Sequence, residues 1–178
     1  DNLGRGCYRV QGPLVADSIP NEFLYVPGET DKDPGLELSV QSVDEDRAEL
    51  RVVRDYRAGG RGGVWGIHAK NREQNFALNL LMDPDIDFVT LLGAAGTGKT
   101  LLTLAAGLAQ TLDEPRYREI IMTRVTVPLG EDIGFLPGTE EEKMTPWMGA
   151  LMDNLEVLTQ PGEAGEWERA ATNELLAK

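Results

Sequence analysis

The sequence predicts an α/β fold, built on a parallel sheet that is incomplete within this chain and preceded by a small β-rich segment. Three observations predict it. A short apolar, β-prone run, Asp87-Phe88-Val89-Thr90-Leu91-Leu92, leads through a glycine-rich stretch into strong helix formers from Leu101 to Ala109. A second apolar run, Glu119-Ile120-Ile121-Met122-Thr123-Arg124, follows that helix, so strand, helix and strand form a crossover unit that requires parallel strands. Residues 1–70 instead carry short runs of alternating character separated by turn residues.

In that first segment Glu22-Phe23-Leu24-Tyr25-Val26 reads as a strand. Leu36 to Gln41 and Ala48 to Val52 alternate apolar with polar side chains. Asp44-Glu45-Asp46 between them is a turn, which predicts a hairpin within a small barrel or sheet. Ala58-Gly59-Gly60-Arg61-Gly62-Gly63 has the composition of a flexible connector, and its single Arg-Gly-Gly run is weak support for RNA binding. The boundary falls there: residues 1–63 form a β-rich linker or barrel-like segment, and 64–178 a second unit.

A helix is predicted from Asn71 through Phe76, Ala77, Leu80 and Leu81. Asn71 suits its N-cap, and Gln74 stands three residues on, where a capping box places a carboxamide. The same carboxamide can accept from the N6 amine of adenine and donate to N7. Spacing leaves both readings open. A tight Asp83-Pro84-Asp85 turn then leads into the 87–92 run.

Gly93-Ala94-Ala95-Gly96-Thr97-Gly98-Lys99-Thr100 is GxxxxGKT with every fixed position filled. A triphosphate needs a concave ring of donors that it can approach closely. Gly93, Gly96 and Gly98 lack a Cβ, so the backbone can turn its N–H groups inward. Lys99 brings a point charge to the β- and γ-phosphates, and Thr100 offers a hydroxyl to Mg²⁺. The helix starting here adds its positive dipole end. Strand before and helix after are the context that makes this a P-loop rather than a glycine-rich turn.

Beyond the second run, Val125 to Gly138 reads as a long loop with five glycines or prolines. Thr139-Glu140-Glu141-Glu142 opens a helix through Met144, Trp147, Met148, Leu151 and Met152, whose spacing suits a core face. Glu166 to Lys178 reads as a last amphipathic helix. His68, the single histidine, has no Cys or acidic neighbour at ligand spacing and reads as structural, which excludes a zinc site and a His-based triad.

Net charge is −13, with 9 basic and 12 acidic side chains in residues 1–70 and 8 and 18 in 71–178. That balance opposes a general polyanion-binding surface. No apolar run is long enough for a membrane span, nothing resembles a signal peptide, and Cys7 stands alone, which suits the cytosol.

Val64-Trp65-Gly66-Ile67, Asn71 to Gln74, Leu91 to Thr100 and Thr123 to Gly138 together resemble the PhoH family, and more narrowly its branch with an RNase-like PIN domain before the ATPase. The resemblance is close over 64–158 and thin over 1–63. It implies a P-loop NTPase sheet like that of helicase motors, with 64–178 as the N-terminal part of the ATPase domain. It implies ATP and Mg²⁺ as cofactors, and hydrolysis coupled to RNA binding or unwinding. Gln74 becomes the adenine-reading glutamine, and Lys99 and Thr100 the catalytic pair, with Thr100 on the metal. Thr123, Arg124 and the 125–138 loop fall near single-stranded RNA or a neighbouring subunit of a homo-oligomer. Arg124 serves equally as an ion-pair partner of the acidic 131–142 region.

The chain departs from the family pattern in two ways. Residues 1–63 fit the segment after a PIN domain rather than the domain itself. No apolar run after residue 100 ends in Asp-Glu, as a Walker B strand does. A fragment is therefore expected, with a marginal sheet, exposed apolar edges and very slow turnover. The alternatives are a nucleotide-binding module without turnover, and a P-loop kinase or phosphotransferase. The last needs a lid with arginines, and residues 125–178 hold only Arg169.

Overall fold

Alternating side chains in the first fifty residues build one five-stranded antiparallel sheet. The structure is a computed structural model that describes residues 1–29, 35–57, 62–123, 149 and 153–158. The strands are β1 (Asn2–Gly4), β2 (Cys7–Gln11), β3 (Phe23–Val26), β4 (Leu36–Asp44) and β5 (Arg47–Val52), in the order β1-β2-β5-β4-β3. β4 and β5 form the expected hairpin, with Asp44 opposite Arg47 and Glu45 turning at a φ of 52°. β2 pairs with β5 from Cys7–Arg51 to Gln11–Arg47. The sequence reading missed β1, β2 and the short helix α1 (Pro13–Ala16). β1 pairs with β2, but β2 takes its other partner, β5, from some forty residues away, so the local pattern alone is faint.

The register sorts the side chains onto two faces. Val40, Ala48 and Leu50 share one face with Val15 of α1 and make a small core, flanked by Leu24, Leu38 and Val43. The other face carries Phe23, Tyr25, Glu37 and Arg51, and it meets α2 (Arg72–Met82). The Phe23 and Phe76 rings stack with centroids 4.1 Å apart and planes 6° apart. The Arg72 guanidinium lies 3.8 Å over the Tyr25 ring. These two contacts fasten sheet to helix through aromatic area and a cation–π pair.

After β5 the 53–57 segment lies along α2, and two asparagines take its backbone hydrogen bonds. Asn75 Oδ1 accepts from the Tyr56 amide at 2.8 Å, while Asn79 accepts from the Arg54 amide at 3.0 Å and donates to the Arg54 carbonyl at 2.8 Å. Asn75 is fully buried, and this pairing is what permits it there. Next comes a tight turn, Val64-Trp65-Gly66-Ile67, closed by reciprocal Val64–Ile67 amide bonds at 2.9 Å.

The second core joins Tyr56, Val64, Trp65 and Leu78 to Leu102, Ala105, Ala106 and Leu108 of α3 (Lys99–Leu108). Leu158, in the helical 153–158 stretch, closes it. α3 ends in a π-helical turn, Ala109–Asp113, where Gln110 donates to the carbonyls of Leu81 and Ala106 and accepts from Arg116.

The expected parallel sheet is absent from the described residues. Residues 87–92 and 119–123 form no ladder, and the sheet that does form is antiparallel. Phe88, Leu92 and Ile121 are 85%, 91% and 78% exposed. A parallel strand takes its hydrogen bonds and apolar cover from neighbours far away in sequence, and among the described residues none lies alongside these runs. Arg124, the 125–138 loop, the helix opening at Thr139 apart from Gly149, and the helix from Glu166 lie outside the described residues, as does most of the 58–63 connector. No helix among the described residues is long and apolar enough to cross a membrane.

Candidate functional site

The glycine loop turns onto α3 through two left-handed residues, Gly96 at φ 78° and Gly98 at φ 83°. Gly93 does not share that conformation. Its role is space, because a Cβ there would stand 3.2 Å from Thr97 Oγ1. Gly98 occupies the N-cap of α3, and no side chain caps the helix, which leaves the first-turn N–H groups directed at the loop. Lys99 folds across that loop. Its Nζ donates to the carbonyls of Gly93 at 3.0 Å and Ala94 at 2.7 Å, and to Thr97 Oγ1 at 3.2 Å. Thr97 Oγ1 in turn donates to the Ala94 carbonyl at 2.9 Å. These acceptors are neutral, and phosphate oxygens are stronger ones. Thr100 is exposed on the first turn beside Lys99, so its hydroxyl fits a hard cation such as Mg²⁺.

Gln74 serves the cap and the loop together. Asn71 Oδ1 accepts from the Gln74 amide at 2.9 Å, as an N-cap should. The Gln74 carboxamide reaches back one residue beyond the cap, with Oε1 accepting from the Lys70 amide at 2.8 Å. Its Nε2 donates to the Thr97 carbonyl at 3.2 Å, so the side chain lies against the loop. The predicted Asn71 N-cap is formed, while the Gln74 carboxamide accepts from Lys70 rather than from the Asn71 amide of a capping box.

Between the loop and the 66–70 segment lies an open cavity of ≈ 820 Å³. Gln74, Gly96, Gly98 and Leu101 line one side, and Arg57, His68 and Lys70 another. Sequence reasoning missed Arg57 and took His68 as purely structural. His68 lies on the cavity wall, and its Nδ1 is buried with no hydrogen-bond partner among the described residues. His68 stands just before Asn71 in the sequence, whereas Arg57 comes beside that helix only through its bridge to Ala69, which the sequence does not signal.

Arg57 is held by carboxylates. Its Nη1 and Nη2 donate to the two oxygens of Glu37 at 2.9 and 3.0 Å, and its Nε to Asp55 Oδ1 at 2.7 Å. Burial works against the guanidinium's charge, but these bonds and both negative charges outweigh it, and its pKa lies above the ordinary value. Burial likewise raises Asp55, but the amide, guanidinium and charge of Arg57 overcome this and hold its carboxyl below the usual range. Of the other residues predicted here, Ala94, Ala95 and Gly96 are exposed along the loop, and Thr123 is exposed in unpaired chain.

A glycine loop capping an open helix end, with a lysine folded over it and a carboxamide beside it, has the build of a P-loop phosphate site. Residues 66–175 match the family described as PhoH-like protein, and the chain belongs to the PhoH family. The chain is 54% identical to Protein PhoH2 of Bacillus subtilis over 103 residues, 58% of this chain and 23% of that protein. It is 46% identical to Protein PhoH2 of Thermobispora bispora over 113 residues, 63% of this chain and 25% of the relative. Protein PhoH2 of Mycolicibacterium smegmatis is 42% identical over 104 residues, 58% of this chain and 24% of its own. The chain thus spans about a quarter of the length of these curated relatives. No solved structure matches it.

Proposed function

We propose that this chain binds ATP with Mg²⁺ at residues 93–100, as the nucleotide-binding part of an ATPase coupled to RNA binding or unwinding. The observation that carries this reading is the position of Gln74. One carboxamide joins the start of α2 to the Thr97 carbonyl and lines the cavity beside the loop. Those are the places a purine base and its phosphates would occupy. On this reading the adenine edge replaces the Lys70 and Thr97 partners of Gln74, and the γ-phosphate replaces the loop carbonyls around Lys99. Thr100 would hold Mg²⁺, which neutralises charge on the phosphates when bound. Segments 87–92 and 119–124 would then take their places in a P-loop parallel sheet. Thr123, Arg124 and the 125–138 loop are proposed to face single-stranded RNA or a neighbouring subunit. Support for that comes from the family resemblance.

Isothermal titration calorimetry with Mg·ATP tests the reading on the chain and on Lys99→Ala. The original chain should bind, and the substitution should abolish binding. Equal binding by both would overturn it.

A further inference from the structure

We propose that Arg57 contacts the nucleoside part of the bound nucleotide, and that Glu37 of β4 is its positioning residue. Through Glu37 the N-terminal sheet then holds Arg57 on one wall of the nucleotide site. This rests on the nucleotide-binding reading above and extends it to residues outside the family-matched region, which begins at residue 66.

The argument starts from the donors. A guanidinium has five N–H groups in one plane. Glu37 and Asp55 occupy three of them, which leaves two N–H groups and the flat faces. The side chain keeps 23% of its exposure and lines the cavity shared with Gln74 and Gly98. Glu37 and Asp55 offset the charge of Arg57, and with Arg72 also bonded to Glu37 the cluster carries no net positive charge. Such a group is unsuited to clamp phosphate, which is the task of Lys99. It is suited to lie against a purine or donate to ribose hydroxyls, since a guanidinium plane stacks well on aromatic rings.

Position comes from the sheet. The Glu37 side chain is only 5% exposed and also accepts from Arg72 Nε and from Asn75 Nδ2, both at 3.3 Å. Four side chains from the sheet, the extended segment and α2 therefore meet at the back of the cavity. Arg57 is fixed from its backbone too, through the Arg57–Ala69 bridge and the Ala69 amide bond to Tyr56 at 3.0 Å. A buried carboxylate with two arginines is costly to desolvate, and replacing it with apolar residues would hold the sheet equally well. Its geometry is explained if the orientation of Arg57 is what it maintains.

The test compares two ligands on the full chain by calorimetry: Mg·ATP, and inorganic tripolyphosphate, which carries the phosphates without base or sugar. Arg57→Ala should weaken ATP about tenfold and leave tripolyphosphate within about twofold. Glu37→Gln should shift the ratio of the two affinities in the same direction. Arg57→Lys keeps a cation against Glu37 but loses the plane and the fork, so it should hold the fold without restoring ATP affinity. Unchanged ATP binding in Arg57→Ala would overturn the proposal, and so would an equal loss of both ligands, which marks a structural role. Binding of neither ligand by the original chain would overturn the phosphate-site reading itself, and this inference with it.

Discussion

Gln74 Nε2 lies 3.2 Å from the Thr97 carbonyl, so the first turn of α2 is hydrogen-bonded to the loop that precedes α3. The same carboxamide accepts from the Lys70 amide. Any change in the loop is therefore felt at the cap of the preceding helix, and the reverse.

Replacing Gln74 with Glu separates the two roles. A carboxylate still accepts from the Lys70 amide but has no hydrogen to donate to the Thr97 carbonyl or to adenine N7. ATP affinity should fall by about tenfold, on the order of 1.4 kcal/mol, and any preference for ATP over GTP should disappear. Titration of both nucleotides reads this directly. A variant that keeps its preference would remove Gln74 from base recognition.

Gly98→Ala should damage the fold and the site together. The residue sits at φ 83°, and a Cβ would stand 3.2 Å from Gln74 Nε2. The left-handed conformation alone costs a non-glycine residue about 1–2 kcal/mol. Thermal denaturation should show that loss, and nucleotide binding should weaken beyond it because Gln74 must move. Gly96→Ala meets nothing within 4 Å, so its cost should be confined to backbone conformation at φ 78°.

The stacked pair Phe23–Phe76 makes the docking of sheet on helix measurable. Single alanine substitutions should each destabilise, by about 3 kcal/mol or less given that both rings are only partly buried. A double-mutant cycle by urea unfolding should return a coupling of about 0.5–1.5 kcal/mol. Zero coupling would mean that the stacked rings do not fasten the sheet to α2.

Acid should loosen the Arg57 cluster. Asp55 has a lowered pKa in the folded chain, chiefly because the bonds and charge of Arg57 overcome the burial that would raise it. A depressed carboxylate pKa contributes stability that is fully present above the unfolded value of about 3.9. It is lost as pH falls through the folded value. Urea midpoints followed downward from pH 6 should therefore drop more steeply below pH ~4 for the original chain than for Asp55→Asn. Parallel curves would show that Asp55 contributes nothing to this slope.

By itself the sequence determined the chemistry that is local. GxxxxGKT is a set of backbone requirements within eight residues, and Gly96, Gly98 and Lys99 meet them without distant help. The Asn71 cap and the hairpin around Glu45 are equally local, since a cap or a turn is complete within four residues. Only the tertiary structure decided what lies next to what. β2 pairs with β5 across forty residues, and Arg57 reaches the cavity because Glu37, twenty residues earlier, holds it there. The apolar runs at 87–92 and 119–123 looked like strands, but strand formation needs a partner's hydrogen bonds, and none of the described residues supplies them. Periodicity specifies a face for burial. The element that buries it is fixed by long-range packing, which no local pattern encodes.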